Sequence, residues 1–219
     1  MFVEKAWVIL MKSKPPQERA VRTRRALLRA AAECFDECGY YGAGTNKILA
    51  RAGMTQGAMY FHFKSKEELA HAVMLEQAAD LELPAEPRGL QQLVNVTLML
   101  AVEMQNNVLL RAGVRLAVDP AGPARHDDSI YSWWAALFHK ELVVARAAGE
   151  LRDDVDEKSF SQTLVGAYTG TQLMSEITTG RSDLTLRITN LWRFLLPGIA
   201  TPEMLAALDL NGVPVMETG

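Results

Sequence analysis

Apolar residues recur every three or four positions along almost the whole chain, which is the spacing of a helix that buries one face. In residues 18–38, Leu27, Leu28, Ala31 and Phe35 fall on one such face, with arginines on the other positions. No run of alternating apolar and polar residues is long enough to indicate a β-sheet. The pattern therefore predicts an all-α fold.

Glycine residues and capping residues divide this pattern into separate helices. Gly39 is predicted to end the first helix, and Thr45, Thr55 and Ser65 are predicted to begin the next three as N-caps. Ser65 and Glu68 also have the spacing of a capping box. Beyond a proline boundary at 84–87, helices are predicted over about 88–107, 109–118, 127–148, 156–178, 183–196 (ended by Pro197) and 202–208.

Charge is divided unevenly along the chain. Residues 1–66 carry twelve Lys and Arg against five Asp and Glu, whereas residues 67–219 carry eleven against twenty-one. A basic first third on an acidic body indicates that the first third binds a polyanion. A basic face that only contacts solvent is the alternative interpretation.

Length and composition exclude several other classes of protein. A chain of 219 residues with 49% hydrophobic residues suits one or two globular domains. Its apolar runs reach about seven residues, whereas a membrane-spanning helix needs about 20. The apolar stretch 6–11 is too short for a signal-peptide core, and two cysteines agree with a reducing compartment. We therefore expect a cytoplasmic protein with no membrane partner.

The most informative motif lies between Thr45 and Leu69, where two short helices meet at a tight turn at Gly53 and follow a long basic helix. That order is typical of a helix-turn-helix DNA reader. Gln56 and Gly57 are small or polar enough for the second helix to enter a major groove about 12 Å wide.

Phosphate contacts are expected from the residues that follow. Tyr60 and His62 can donate hydrogen bonds, and Lys64 and Lys66 flank the amides at the start of the next helix. We expect Tyr60 to be half exposed. Two neighbouring aromatic residues are predicted to be core residues, namely Phe61 and Phe63.

Thr45–Ile48, Ala52–Phe63 and Lys66–Leu69 resemble the DNA-binding domain of TetR-type transcriptional repressors. A closer resemblance is to the γ-butyrolactone autoregulator receptors of antibiotic-producing actinobacteria. It is carried by residues 20–24, 60–70, 107–116, 148–151 and 165–170, and by Trp134. The match covers about residues 18–208.

This resemblance implies an all-α homodimer in which a three-helix helix-turn-helix DNA-binding domain (18–66) precedes a larger helical ligand-binding and dimerisation domain (67–208). Residues 1–17 would form a flexible basic arm and residues 209–219 a loose tail. The implied function is repression from a palindromic double-stranded DNA operator, released by a small γ-butyrolactone-like signal and controlling antibiotic production. Two alternatives are an antibiotic, butenolide or furan-type effector, and a constitutive DNA-binding regulator without an effector.

The resemblance and the charge together predict eight DNA contacts. These are Arg22, Thr45, Thr55, Gln56, Gly57, Tyr60, His62 and Lys66. Members of the family often carry lysine at the position of Gln56. An amide there can pair with adenine, which predicts a changed operator preference.

On the ligand side, Trp134 matches the tryptophan that caps the lactone pocket in this branch, and the preceding Trp133 departs from the pattern. Neighbouring side chains on a helix point about 100° apart, so one ring faces a cavity or core and the other an interface or solvent. The predicted ligand contacts are Gln77, Trp134, Tyr168, Thr169 and Gln172. None is charged, which indicates a neutral and mostly apolar effector.

No catalytic or metal-binding residue is predicted. Cys34 and Cys38 share a helix face but have no nearby partner for a zinc site, and both are expected to be buried. No histidine pairs with a nucleophile in a known motif, and no glycine-rich phosphate loop is present. We therefore expect a protein that is not an enzyme and needs no cofactor.

The dimer surface is predicted on the apolar faces of the helices at 156–178 and 183–196, although these residues also suit the core of one protomer. The apolar residues concerned are Leu164, Ala167, Leu173, Ile177, Leu186, Leu191, Trp192 and Leu195.

Overall fold

The computed structural model describes residues 16–78, 81, 83, 86–119, 122–123 and 128–211, and these form helices without any strand. One isolated β-bridge joins Leu151 to Ala200. The all-α prediction is confirmed. The helices are α1 (Pro16–Gly42), α2 (Thr45–Ala52), α3 (Gln56–His62), α4 (Lys66–Glu76), α5 (Leu90–Asn106), α6 (Val108–Val118), α7 (Ser129–Ala147), α8 (Glu157–Thr179), α9 (Leu184–Ile199) and α10 (Pro202–Ala207). The predicted arm at 1–17 and tail at 209–219 lie mostly outside the described residues.

Two of the predicted N-caps are confirmed. The Thr55 hydroxyl accepts a hydrogen bond from the backbone N–H of Ala58 at 3.3 Å, and the Ser65 hydroxyl accepts one from Glu68 N–H at 3.1 Å. The Glu68 carboxylate in turn accepts from the N–H of Lys64 at 2.7 Å, one residue before the cap. Ser65 and Glu68 therefore cap the start of α4 together, each side chain accepting a hydrogen bond from a backbone N–H near the other residue.

The predicted cap at Thr45 is wrong, because Gly44 is the N-cap of α2 and makes no side-chain bond. Thr45 is instead the first helical residue. Helix α4, which begins after Ser65, ends at Glu76, well before the proline boundary at 84–87. Periodicity does not mark that end because apolar residues continue past it.

The prediction that Pro197 ends the last long helix is wrong. Pro197 lies inside α9, which continues to Ile199. In the final turn it removes one helical hydrogen bond, the one to the carbonyl of Arg193. Pro197 lacks one N–H there, whereas the helix still closes with a bond from Ala200 N–H to the Leu196 carbonyl at 2.8 Å.

Gly39 interrupts α1, as the sequence predicts. Its backbone has φ 67° and ψ −179°, which is not helical, although residues on both sides are. A positive φ is far cheaper for glycine than for a residue with a Cβ atom. The long basic helix therefore stops at this residue, and a short turn leads on to α2.

Contacts divide the chain into two units. The first contains the described residues of 16–78 and 111–125, and the second those of 79–110 and 126–219. Each has its own buried core. That of the first unit includes Leu27, Phe35, Ile48, Leu69 and Val73, and that of the second includes Leu90, Leu142, Leu164, Ile188 and Trp192.

The N-terminus of α5 is capped by two carboxylates from the second unit. Glu141 on α7 accepts from the N–H of Gly89 at 3.0 Å, and Glu150 accepts from the N–H of Leu90 at 2.8 Å. A Cβ atom on Gly89 would lie 2.5 Å from the Glu150 carboxylate. Glycine at this position therefore permits the charged cap, which suits the positive end of the helix.

Among the described residues, no single helix has both the length and the apolar character to cross a membrane. Two helices separated by Asn107, α5 and α6, satisfy both conditions only when they are counted together.

Replacing Gly53 with alanine is expected to lower the free energy of unfolding by about 1 to 2 kcal/mol, because Gly53 adopts the left-handed conformation at φ 62°. Gly57→Ala is the control, since Gly57 lies inside α3 without a positive φ and has open space at its Cβ position. Urea unfolding followed by circular dichroism compares the two variants. Equal losses would show that the turn geometry is not responsible.

Candidate functional site

The outer face of α3 carries small and polar residues. Gln56 and Gly57 are exposed, and Tyr60 is 50% exposed, as predicted. Met59 on the opposite side is buried. The helix therefore presents an amide, a bare backbone and a phenol to the solvent, which is the chemistry predicted for a helix that reads DNA.

The prediction that Phe61 is a core residue is wrong. Its side chain is 80% exposed, whereas Phe63 is 2% exposed, as expected. Met59 and Phe63 are four residues apart and share the core face, so Phe61, midway between them, points away. Its ring instead lies edge-on to His62, with centroids 5.0 Å apart. The first unit thus exposes an aromatic ring at the end of α3.

The remaining predicted DNA contacts have mixed exposure. Arg22 is exposed on α1, whereas Thr45 and His62 are half-buried. Thr55 is exposed, and its hydroxyl also caps α3. The structure thus places all of these residues in the first unit.

Lys66 is already engaged within the first unit. Its ammonium donates to the Tyr40 carbonyl at 2.8 Å and lies 4.2 Å from the centre of the Tyr40 ring. Burial lowers the pKa of Lys66. Lys64, two residues earlier, is exposed. Sequence reasoning missed the Lys66–Tyr40 contact because its partners are 26 positions apart.

A second contact ties α4 to α1. Arg24 forms an ion pair with Glu76 at 2.5 Å, and its guanidinium lies 5.1 Å from the centre of the Phe63 ring. The two ends of α4 are therefore both held by α1, at Lys66 and at Glu76.

The second unit contains a cavity of about 250 Å³ between α5 and α7. Its walls are mostly apolar, and three polar side chains stand among them. The lining residues are Leu83, Arg88, Gln92, Leu93, Val96, Leu137, Phe138 and Glu141. Arg88 and Glu141 form an ion pair at 2.9 Å, so their charges compensate each other.

Trp134 lies next to this cavity without lining it. The ring centroids of Trp134 and Phe138 are 6.0 Å apart, and Phe138 forms part of the cavity wall. Trp134 is 8% exposed and Trp133 is 46% exposed, which confirms that the two rings face different surroundings. None of the five predicted ligand contacts is among the cavity's lining residues.

Two of the predicted ligand contacts on α8 hold buried polar atoms without partners. The Tyr168 hydroxyl and the Gln172 Oε1 atom lie one helical turn apart, and neither has a hydrogen-bond partner. Burial raises the pKa of Tyr168, so the phenol stays protonated and can donate. Thr169 between them is half-buried. Unpaired buried oxygens are costly, which indicates that something else supplies their partners.

Gln77 belongs to the first unit, directly after α4. Its side-chain nitrogen donates to the Met74 carbonyl at 2.9 Å, whereas its Oε1 atom is buried without a partner. A Cβ atom on Gly113 of α6 would lie 2.7 Å from the Gln77 Cβ. Gln77 is therefore packed closely against the backbone of α6.

The residues predicted for a dimer surface differ in exposure. Leu164 and Trp192 are fully buried and belong to the core of the second unit. Three others are half-buried, namely Ala167, Leu191 and Leu195. The predicted Leu173, Ile177 and Leu186 are exposed, and with Met174 and Phe194, which the prediction did not name, they form an exposed apolar set on α8 and α9. An isolated protomer would leave these five large side chains in water.

Two family models match the chain. The model described as "Bacterial regulatory proteins, tetR family" matches residues 27–73, and "Tetracyclin repressor-like, C-terminal domain" matches residues 88–201. The A-factor receptor protein of Streptomyces griseus is 37% identical over 199 residues, which are 90% of this chain and 70% of that receptor.

Solved structures agree with these matches. Full-length tylp, a TetR regulator from Streptomyces fradiae, has a TM-score of 0.80 and 40% identity, covering 88% of this chain and 93% of that one. A γ-butyrolactone receptor described as ArpA-like has a TM-score of 0.65 and 29% identity, covering 86% and 93%. The family consists of transcriptional regulators, which are not enzymes. The chain therefore belongs to the TetR family of DNA-binding transcriptional repressors, among the homologues of γ-butyrolactone receptors.

Proposed function

We propose that this protein is a ligand-released repressor that binds a palindromic operator as a homodimer in the cytoplasm and leaves it when a small γ-butyrolactone-like signal binds. The buried, unpaired oxygens of Tyr168 and Gln172 are the observation that carries the ligand-binding half. The relatives include a γ-butyrolactone receptor, which favours this class of ligand over an antibiotic or a furan acid. Control of antibiotic production is part of the same proposal, and catalysis is not.

On the DNA side, the Gln56 amide and the bare backbone at Gly57 would meet base edges, while Tyr60 and His62 would donate to phosphates. A second group of four residues would support the backbone contacts. It comprises Arg22, Thr45, Thr55 and Lys66. Lys66 would act while bound to Tyr40, and the exposed Lys64 beside it adds a freer charge.

Dimerisation follows from the geometry of DNA and from the exposed apolar set on α8 and α9. Two recognition helices must lie about 34 Å apart to read successive major grooves on one side of the duplex. Pairing two copies through this set would remove its five large side chains from water. Sedimentation of the full chain at twice its 24.2 kDa mass is the expected result, and a monomer would contradict this part of the proposal.

On the ligand side, the Tyr168 hydroxyl would donate to a carbonyl oxygen such as that of a lactone, and Gln172 Oε1 would accept from a hydroxyl. Trp134 and Thr169, which belong to the same unit, would supply apolar and hydroxyl surface for the ligand. The cavity beside Phe138 offers mostly apolar space. This donor and acceptor set suits a neutral molecule with one carbonyl, one hydroxyl and an apolar portion.

The test is a gel shift with DNA from upstream of the protein's own gene, with and without an organic extract of its producing strain's culture. A shifted band that the extract dissolves is the expected result. A band that no extract dissolves would favour a constitutive regulator. Alkaline hydrolysis of the active fraction separates a lactone from a furan-type effector, because it opens the ring of a γ-butyrolactone or a butenolide and should abolish the activity of either.

Gln56→Ala is expected to change which sequence the protein prefers, because a glutamine amide pairs with adenine and alanine does not. Loss of one such pair should cost about 1 to 3 kcal/mol at a single base position. Tyr60→Phe is the matched control, since it removes only a phosphate donor and should weaken all sequences alike. Binding to a panel of single-base operator variants distinguishes them, and uniform losses for Gln56→Ala would end its base-reading role.

A further inference from the structure

The last residues of α1 contact three other helices, and the first of these is α6. The Asp36 carboxylate accepts from Arg111 Nε at 2.8 Å, and the backbone carbonyl of Asp36 accepts from an Arg115 guanidinium nitrogen. Both side chains of the Arg111–Asp36 pair are about four-fifths buried. Such a pair is less screened than one on the surface.

The next two residues of α1 contact α2, the first helix of the helix-turn-helix pair. Glu37 forms a two-pronged ion pair with Arg51 at 2.7 and 2.9 Å and accepts from Lys47 at 3.3 Å. The hydrogen bond from Arg51 is the main reason that the pKa of Glu37 lies below its usual value. Lys47 also donates to the sulfur of Cys38 at 3.1 Å. Cys38 is half-buried rather than buried as predicted, whereas Cys34 is buried.

The last contact of the set involves α4. The Tyr40 carbonyl binds the Lys66 ammonium at the first residue of that helix. Between the contacts lies the backbone break at Gly39, where a Cβ atom would sit 3.7 Å from the Arg115 guanidinium. Five consecutive residues of α1, 36–40, therefore contact three other helices, α6, α2 and α4. These five residues are called the α1 junction below.

Helix α6 differs from the other helices of the α1 junction in its place along the chain. It runs from Val108 to Val118 and lies within the part of the chain that matches the C-terminal domain of the family. By their contacts, however, the described residues of 111–125 belong with the DNA-binding helices. The first unit is therefore built from the four N-terminal helices, α1 to α4, and from a fifth segment. That segment lies within the sequence that matches the C-terminal domain of the family.

We propose that Arg111 and Arg115 are positioning residues for DNA reading, because by holding Asp36 they fix the end of α1 from which α2 and α4 are placed. Closely packed elements transmit a displacement rather than absorb it. A shift of α6 would move Asp36, and the adjacent Glu37 would carry Arg51 and the rest of α2 with it. The inference deepens the proposed function, since it names the contact through which the second domain's sequence reaches α3.

The test begins with an operator selected from random DNA by the unmodified protein, which needs no effector. Arg111→Gln and Asp36→Asn should each weaken binding to that operator about tenfold, within the range seen for coupling residues. The double variant should lose no more than either single change, because both remove the same contact. Binding to a scrambled duplex of equal length should change less than twofold, since the outer face of α3 is untouched.

Arg187→Gln is the matched control. It removes the same charge and breaks an ion pair of the same 2.8 Å length, between Arg187 and Asp183 in the second unit. It should leave operator binding unchanged. Arg111→Lys, which keeps the positive charge that Arg111→Gln removes, should recover most of the lost affinity.

A readout independent of DNA separates positioning from general destabilisation. Backbone amides of 45–62 should exchange with deuterium at least fivefold faster in Arg111→Gln, while the core of the second unit keeps its protection. Unchanged exchange in 45–62, or equal losses on operator and scrambled DNA, would overturn the inference. If the unmodified protein selected no sequence, DNA reading itself would fail, and the exchange measurement would still decide the role of Arg111.

Discussion

Replacing Trp192 with alanine is expected to cost the second unit about 3 to 5 kcal/mol of folding free energy, the range for removing a fully buried large aromatic side chain. Trp192 is completely buried on α9, and its indole N–H donates to the Thr97 hydroxyl on α5 at 2.7 Å. The change therefore leaves both a cavity and a lost contact between two core helices. Total stabilities are only about 5 to 15 kcal/mol, so the melting temperature should fall by about 10 °C or more.

Two milder variants separate the volume of Trp192 from its hydrogen bond. Trp192→Phe keeps a ring, and the Thr97 hydroxyl still donates to the carbonyls of Leu93 and Val94 at 2.9 Å. Thr97→Val instead leaves the indole N–H buried and unpaired, which costs about 1 to 3 kcal/mol. Scanning calorimetry should therefore rank Trp192→Ala as the least stable of the three. A melting point for Trp192→Ala equal to that of Trp192→Phe would show that packing at this site contributes little.

Trp134→Phe is expected to retain operator binding and to resist release. Full release requires the effector to prefer the free state by about 5.5 kcal/mol, shared between two pockets of a dimer. An indole is larger than a phenyl ring by about three heavy atoms, and each buried group of CH₂ size contributes about 0.8 kcal/mol, so the change in two pockets removes a large part of that preference. The gel shift titrated with culture extract should need at least tenfold more extract for half release.

Trp133→Phe is the control for this experiment, because Trp133 is the adjacent residue and its ring is largely in solvent. Its release curve should coincide with that of the unmodified protein. If both variants shift the curve equally, the effect does not come from a pocket beside Trp134. If Trp134→Phe releases normally, the tryptophan belongs to the core alone.

Much of the local structure of the DNA-binding helices can be predicted from residues that are close together in the sequence. The turn at Gly53, the caps at Thr55 and Ser65 and the break at Gly39 depend on residues within four positions, so local chemistry predicts them. The exposure of Tyr60 follows from the same helical period. The exposure of Phe61 does not follow from this reasoning, because its aromatic character predicts a core residue, whereas α3 has only seven residues and one narrow buried side.

The pairing of distant residues required the tertiary structure. Lys66 binds Tyr40 rather than standing free for phosphate, and Arg111 binds Asp36 across 75 positions. The unpaired oxygens of Tyr168 and Gln172 became visible only once every neighbouring group was placed. The burial of a side chain and its hydrogen-bond partner depend on which helices pack together. The spacing of apolar residues along the sequence does not show which helices these are.

Three properties of this protein can be read from its amino-acid sequence: it is all-helical, residues 45–62 form a helix-turn-helix pair, and the chain resembles the γ-butyrolactone receptor branch of the TetR repressors. These properties rest on local periods, caps and motifs, which neighbouring residues encode directly. Two further properties required the folded molecule: the packing of α6 with the DNA-binding helices, and the contacts of the end of α1 with three other helices. The reason is physical, because contacts between distant segments exist only after the whole unit has closed around its core.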